Sequence, residues 1–110
     1  MDELQKAAKI GFASEYAFAL KAQNFHWNVE GPFFEQYHAL FEKIYTEVYD
    51  NIDTFAENIR KLGTYTPASF SRFSMLTQVE DETNILPADA MVQELLQDAE
   101  KMSKILKLVY

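Results

Sequence analysis

The sequence predicts an all-α helical bundle, with three long helices and a short one between the second and third. Apolar residues recur every three or four positions through three long stretches, and no segment alternates as a strand would. The three glycines and three prolines fall at a few discrete points, with no Gly/Ser linker, low-complexity tract or internal repeat. A chain of 110 residues, 48% hydrophobic and 15% aromatic, fits one domain with enough apolar material for a core.

The first helix runs from about Asp2 to Val29, where Ile10, Ala13, Ala17, Leu20, Phe25 and Trp27 mark the apolar positions and Lys6, Lys9, Glu15 and Lys21 lie between them. Asp2 and Glu3 suit its positive N-terminal end, and Gly31-Pro32 stops it, because proline cannot extend the hydrogen-bond ladder. The second helix, Phe33 to Leu62, has the clearest pattern. Tyr37, Phe41, Ile44, Val48, Ile52, Phe55, Ile59 and Leu62 step by three or four throughout. Arg60 and Lys61 complement its negative end, and Gly63 stands where a left-handed cap residue belongs. Tyr45, Tyr49 and Tyr65 widen its apolar face, which predicts more than one packing neighbour and a central place at an interface.

Thr66-Pro67 marks a turn, Ser69 to Met75 reads as a short crossover helix, and Gln78 to Asn84 as a polar connection. Pro87 and Asp89 open the third long helix, carried by Met91, Leu95, Ala99, Met102, Ile105 and Val109, with Lys101, Lys104 and Lys107 near its end. Three helices with wide apolar faces leave a groove where a fourth normally packs, so a single copy is expected to expose an apolar patch that another segment or chain covers.

Net charge is −7, from 10 basic and 17 acidic residues, so the field repels phosphate backbones and attracts cations. Nucleic acid is a poor default partner. With no cysteine there are no disulfides or thiolate sites, and any metal must be held by imidazole and carboxylate, which favours iron, manganese or zinc. Met1 leads directly into Asp2, Glu3 and Lys6 without a signal-peptide pattern, and no run approaches a membrane span, so the expected location is the cytoplasm.

The candidate ligands are His26, His38, Asp53 and Glu57. Alone, His26 beside Trp27 reads as an ordinary half-buried histidine, and so does His38; Asp53 and Glu57, four apart on one helix face, read as a solvated stripe. Position changes this. His26 lies five residues before Gly31 and His38 six after Pro32, at similar height on adjacent antiparallel helices, where they can face one pocket. Asp53 adjoins Ile52, and Glu57 lies between Ala56 and Ile59, so both border the apolar face, where buried carboxylates need a counter-cation. Trp27 serves equally as packing or as an electron donor beside a redox metal.

Length then constrains the assembly. The 15 positions from His38 to Asp53 span about 22 Å along one helix, beyond the reach of one metal site. If all four ligands serve one centre, two copies must meet antiparallel, each giving its histidine end to the other's carboxylate end.

The run Asn24-Phe25-His26-Trp27-Asn28-Val29-Glu30-Gly31-Pro32, then Tyr37-His38, Asp53-x-x-x-Glu57 and Ile59-Arg60-x-Leu62-Gly63, closely resembles the Dps miniferritins, the ferritin-like DNA-protecting proteins of starved bacteria. The likeness extends from about Lys9 to Tyr110 and is densest between Gln23 and Gly63. It implies a ferritin-like four-helix bundle, of which this single domain, residues 1–110, is expected to be C-terminally incomplete, lacking the fourth helix. It also implies an intersubunit di-iron ferroxidase centre with His26 and His38 from one subunit, Asp53 and Glu57 from its two-fold mate, and Trp27 close to the iron pair to quench stray oxidising equivalents. The implied assembly is a hollow dodecamer of two-fold dimers that oxidises ferrous iron with hydrogen peroxide, stores ferric mineral and protects against oxidative damage. No lysine-rich N-terminal tail of the kind with which some relatives grip DNA is present, and the chain is acidic, so DNA binding is doubtful. The alternatives are a non-catalytic structural or DNA-condensing shell, and an all-helical interaction domain.

Overall fold

The computed structural model describes residues 2–110, and these form four helices: α1 (Glu3–Asn28), α2 (Phe34–Lys61), α3 (Phe70–Leu76) and α4 (Ala88–Leu106). The three long helices and the short crossover lie where the apolar periodicity puts them, and no strand or fourth long helix occurs among the described residues. The ends are fixed by local chemistry. The Asp2 side chain accepts from the Gln5 backbone N–H at 2.7 Å while Gln5 Oε1 accepts from the Asp2 N–H, so two orphan donors of α1 are satisfied reciprocally. Gln5 Nε2 also donates to the Leu62 carbonyl at 2.8 Å, which ties the start of α1 to the end of α2. Gly63 takes φ +87 and its N–H reaches the Arg60 carbonyl, the left-handed stop expected there. Ser69 caps α3, one residue later than the sequence pattern suggests, by accepting from the Arg72 N–H.

The central element is α1 and not α2. All three other helices pack chiefly against α1, and within the chain α2 has α1 as its one substantial helical neighbour, where its tyrosine-widened face predicted more than one. This corrects the reading of α1 as well: Ala8, Phe12, Ala13, Phe18, Ala19, Ala22 and Phe25 are buried, while Leu20 and Trp27 are 46% and 62% exposed. A helix with three neighbours is apolar on most sides, so spacing alone does not single out its buried face. On α2 the stripe is as expected, with Phe41, Phe55 and Ile59 buried and Tyr37, Ile44, Val48, Ile52 and Leu62 half-buried. Tyr65 lies apart from it, 78% exposed beneath the Arg60 guanidinium.

Two apolar clusters fill the bundle. Phe18, Ala22, Phe25, Phe41, Met91, Leu95 and Met102 form one, and Ala8, Phe12, Phe55 and Ile59 the other. The connection through α3 is pinned by Ser14, whose buried hydroxyl accepts from the Gln78 N–H, and by Thr66, which donates to the Ala56 carbonyl. A groove of about 480 Å³, lined by Glu15, Phe18, Ile44, Val48, Phe55 and Tyr110, runs along α1 and α2. Burial along its wall raises the pKa of the Glu15 carboxyl. The molecule is 48 Å long and 24 by 21 Å across, so its two ends are well separated.

Candidate metal centre

The α1–α2 turn brings His26 and His38 together. Gly31 at φ +94 and Phe33 at φ +64, a conformation few bulky side chains adopt, reverse the chain within a few residues. Across the turn the two imidazoles stack with ring centroids 3.8 Å apart and planes 17° from parallel. Phe34 stacks on the outer side of His38 at 5.0 Å, and Tyr45 meets the His26 ring edge-on at 5.3 Å. His26 is buried and His38 half-buried.

The hydrogen bonds fix what this pair can do. His26 Nδ1 donates to the His38 carbonyl at 2.8 Å, and His38 Nδ1 donates to the His26 carbonyl at 2.8 Å. A carbonyl only accepts, so each Nδ1 carries the proton, and in the neutral ring each Nε2 keeps its lone pair. The reciprocity follows from where the residues sit: His26 is in the last turn of α1, where carbonyls lack an intrahelical donor, and the second lone pair of a helical carbonyl serves for His38. An outer hydrogen bond that sets the tautomer and orients the ring is how imidazole ligands are commonly prepared for metals. The donor set fits a borderline cation such as Fe(II).

The carboxylates are elsewhere. Asp53 and Glu57 share one face of α2, four and five turns beyond His38, and both are exposed on this chain, which corrects the expectation of a buried pair. Ile52 and Ala56 beside them are only half-buried, since α1 covers the Phe55–Ile59 side of the helix and leaves their side open. No three histidine, aspartate or glutamate side chains converge to hold an ion among the described residues. Trp27 points into solvent and not into the core. Tyr45 escaped the sequence reading as a neighbour of the pair, although its place seven residues after His38, two turns along, was the available signal.

A second polar cluster also went unread. Lys21, one of the polar residues placed between the apolar positions of α1, is buried, and its Nζ lies 2.8 Å from Asp98 Oδ2 and 3.0 Å from Glu94 Oε2 on α4. Burial alone lowers the ammonium's pKa, but the hydrogen bonds and charges of Asp98 and Glu94 outweigh it and hold Lys21 above the usual lysine value. The signal was Asp98 itself, three after Leu95 and four before Met102, inside the buried stripe of α4.

Comparison with known proteins identifies the fold and the family. The ferritin-like domain model matches residues 7–110. The chain is 34% identical over 87 residues to DNA protection during starvation protein 2 of Bacillus anthracis, covering 79% of this chain and 60% of that protein. It is 35% identical over 96 residues to an uncharacterised low temperature-induced protein of Nostoc sp., covering 86% of this chain and 54% of that one. The chain thus spans little more than half the length of these relatives. The crystal structure of the Vibrio cholerae Dps protein, described as a member of a broad superfamily of ferritin-like diiron-carboxylate proteins, superposes with a TM-score of 0.88 at 29% identity, over 96% of this chain and 69% of that one. From its fold, its motif-bearing α1–α2 hairpin and these likenesses, the chain belongs to the Dps family of ferritin-like proteins.

Proposed function

We propose that this protein is a miniferritin that oxidises Fe(II) with hydrogen peroxide at centres shared between two subunits, and stores the ferric product inside a hollow shell of twelve. The observation that carries this reading is the stacked histidine pair, whose Nδ1 protons are both taken by carbonyls so that both Nε2 lone pairs are free for a cation. In the proposed centre, His26 and His38 of one subunit face Asp53 and Glu57 of its two-fold mate, and iron enters as substrate. Imidazole places Fe(II), and the carboxylates favour the more highly charged Fe(III). Two ferrous ions, one peroxide and two protons give two ferric ions and two waters, so no hydroxyl radical is released. Trp27, on the surface beside His26, is assigned the quenching of stray oxidising equivalents.

The acidic chain argues against DNA as the main partner and for cation uptake. Among the described residues no helix is long and apolar enough to cross a membrane, and the assigned location is the cytoplasm. Stopped-flow absorbance after mixing the protein with Fe(II) and peroxide tests the activity. Oxidation faster than in a protein-free blank, lost when His26→Ala and His38→Ala are combined, is the expected result; oxidation at the unmutated rate in that variant would show that these are not the ligands.

A further inference from the structure

Aromatic rings lie end to end from the histidine pair into the bundle. Beyond His26 comes Tyr45 at 5.3 Å, then Tyr49 at 6.0 Å from Tyr45, Tyr16 at 5.8 Å from Tyr49, and Phe73 stacked on Tyr16 at 4.8 Å. Phenylalanine and imidazole resist one-electron oxidation, but phenols yield an electron readily once their proton can leave. The oxidisable part of the row is therefore the three consecutive tyrosines, the first of them in contact with a proposed iron ligand. Trp27, the other oxidisable side chain near the pair, is 62% exposed and forms no ring pair among the described residues.

We propose that Tyr45, Tyr49 and Tyr16 form an electron relay that completes peroxide reduction when only one ferrous ion occupies the centre, and that carries the resulting radical away from the metal. The relay rests on the ferroxidase reading above. One peroxide, one ferrous ion, one tyrosine phenol and one proton give one ferric ion, one tyrosyl radical and two waters. The phenol O–H bond is the one that breaks, its electron passing to peroxide. A later ferrous ion, with one proton, returns the radical to phenol and leaves as ferric ion, so the cycle needs no outside reductant.

Side-chain surroundings suit this use. The Tyr49 hydroxyl donates to Gln23 Oε1 at 3.5 Å, and burial, with the neighbouring Tyr16 and Tyr45, raises its pKa, so it remains a phenol that must shed a proton on oxidation. Tyr16 and Tyr49 both line a groove of about 640 Å³ whose wall carries Glu80 and Asp81, which gives that proton a route and an acceptor. As each electron is drawn outward toward the metal the hole moves one ring inward, so the radical ends on Tyr16, three rings from the metal, where it cannot attack the imidazoles.

The test mixes the assembled protein with peroxide and one ferrous ion per histidine pair, freezes it within the turnover, and records electron paramagnetic resonance alongside iron oxidation. A radical with tyrosyl hyperfine structure, narrowed by ring-deuterated tyrosine, is expected. Tyr45→Phe keeps the packing ring and should lose the signal, whereas Tyr49→Phe should leave a shorter-lived radical confined to Tyr45. A full signal in Tyr45→Phe, iron oxidation with no tyrosyl radical, or a signal removed by Trp27→Phe overturns the relay while leaving the ferroxidase reading intact. Iron oxidation no faster than the protein-free blank overturns both.

Discussion

Lys21 and His26 lie five residues apart on α1 and are equally hidden, yet the bundle treats them differently. Lys21 finds Asp98 and Glu94 within the same chain, and its charge is answered on the spot. The His26–His38 pair satisfies only its Nδ1 protons and leaves both Nε2 lone pairs unmatched. A polar group with all its partners in the chain serves the fold, while a pair whose second ring nitrogens are left to solvent is open to a ligand from outside. Asp53 and Glu57, proposed above as the other half of the centre, are exposed far along α2.

Breaking the complete cluster should cost the most stability. Lys21→Met leaves Asp98 buried without its counter-charge and should destabilise the protein by about 3–5 kcal/mol in urea titration, with the double variant Lys21→Met, Asp98→Leu recovering most of the loss. Removing the buried imidazole in His26→Ala strips the His38 ring of its stacking partner and should cost about 1–3 kcal/mol, together with iron oxidation. Asp53→Asn with Glu57→Gln sharpens the contrast, since exposed positions should change stability by no more than about 0.5 kcal/mol while abolishing iron oxidation. A variant that loses both stability and activity would mean that these carboxylates act within the fold.

The smallest effect belongs to Glu94. Burial, with the neighbouring Glu82, raises its carboxyl pKa despite the opposing pull of Lys21. The folded state therefore binds that proton more tightly than the unfolded chain, and stability from this group rises as pH falls through the raised value. At neutral pH the charge works against folding, so Glu94→Gln should melt no lower than the parent at pH 7, and the difference should vanish on acidification. A clear fall in melting temperature at pH 7 would show that Lys21 depends on both carboxylates.

The helices were legible because each long stretch carries apolar residues at a period that only a helix satisfies, and because Asp2, Gly63 and Pro87 sit at their ends. The buried face of α1 was not: a helix surrounded by α2, α3 and α4 is apolar on many sides, so Leu20 and Trp27 read like Phe18 and Ala22. The histidine pair could be placed from its equal spacing about Gly31-Pro32, but the crossed Nδ1–carbonyl bonds depend on ring orientation, which spacing does not encode. The exposure of Asp53 and Glu57 was missed because adjacency to apolar residues says nothing about which side of a helix a neighbour covers. Lys21 was missed because a lysine among apolar positions usually reaches solvent, and its partner lies 77 residues away in sequence.

The division of the centre between two chains is tested most directly by mixing two inactive variants. His26→Ala/His38→Ala protein and Asp53→Asn/Glu57→Gln protein are each prepared, dissociated, combined in equal amounts and reassembled, and iron oxidation by peroxide is measured. A two-fold pair containing one of each has one centre with all four ligands and one with none, so random pairing should restore about a quarter of the parental centres, and of the activity. Activity no greater than that of the two variants measured separately would contradict a centre built from the histidines of one copy and the carboxylates of another.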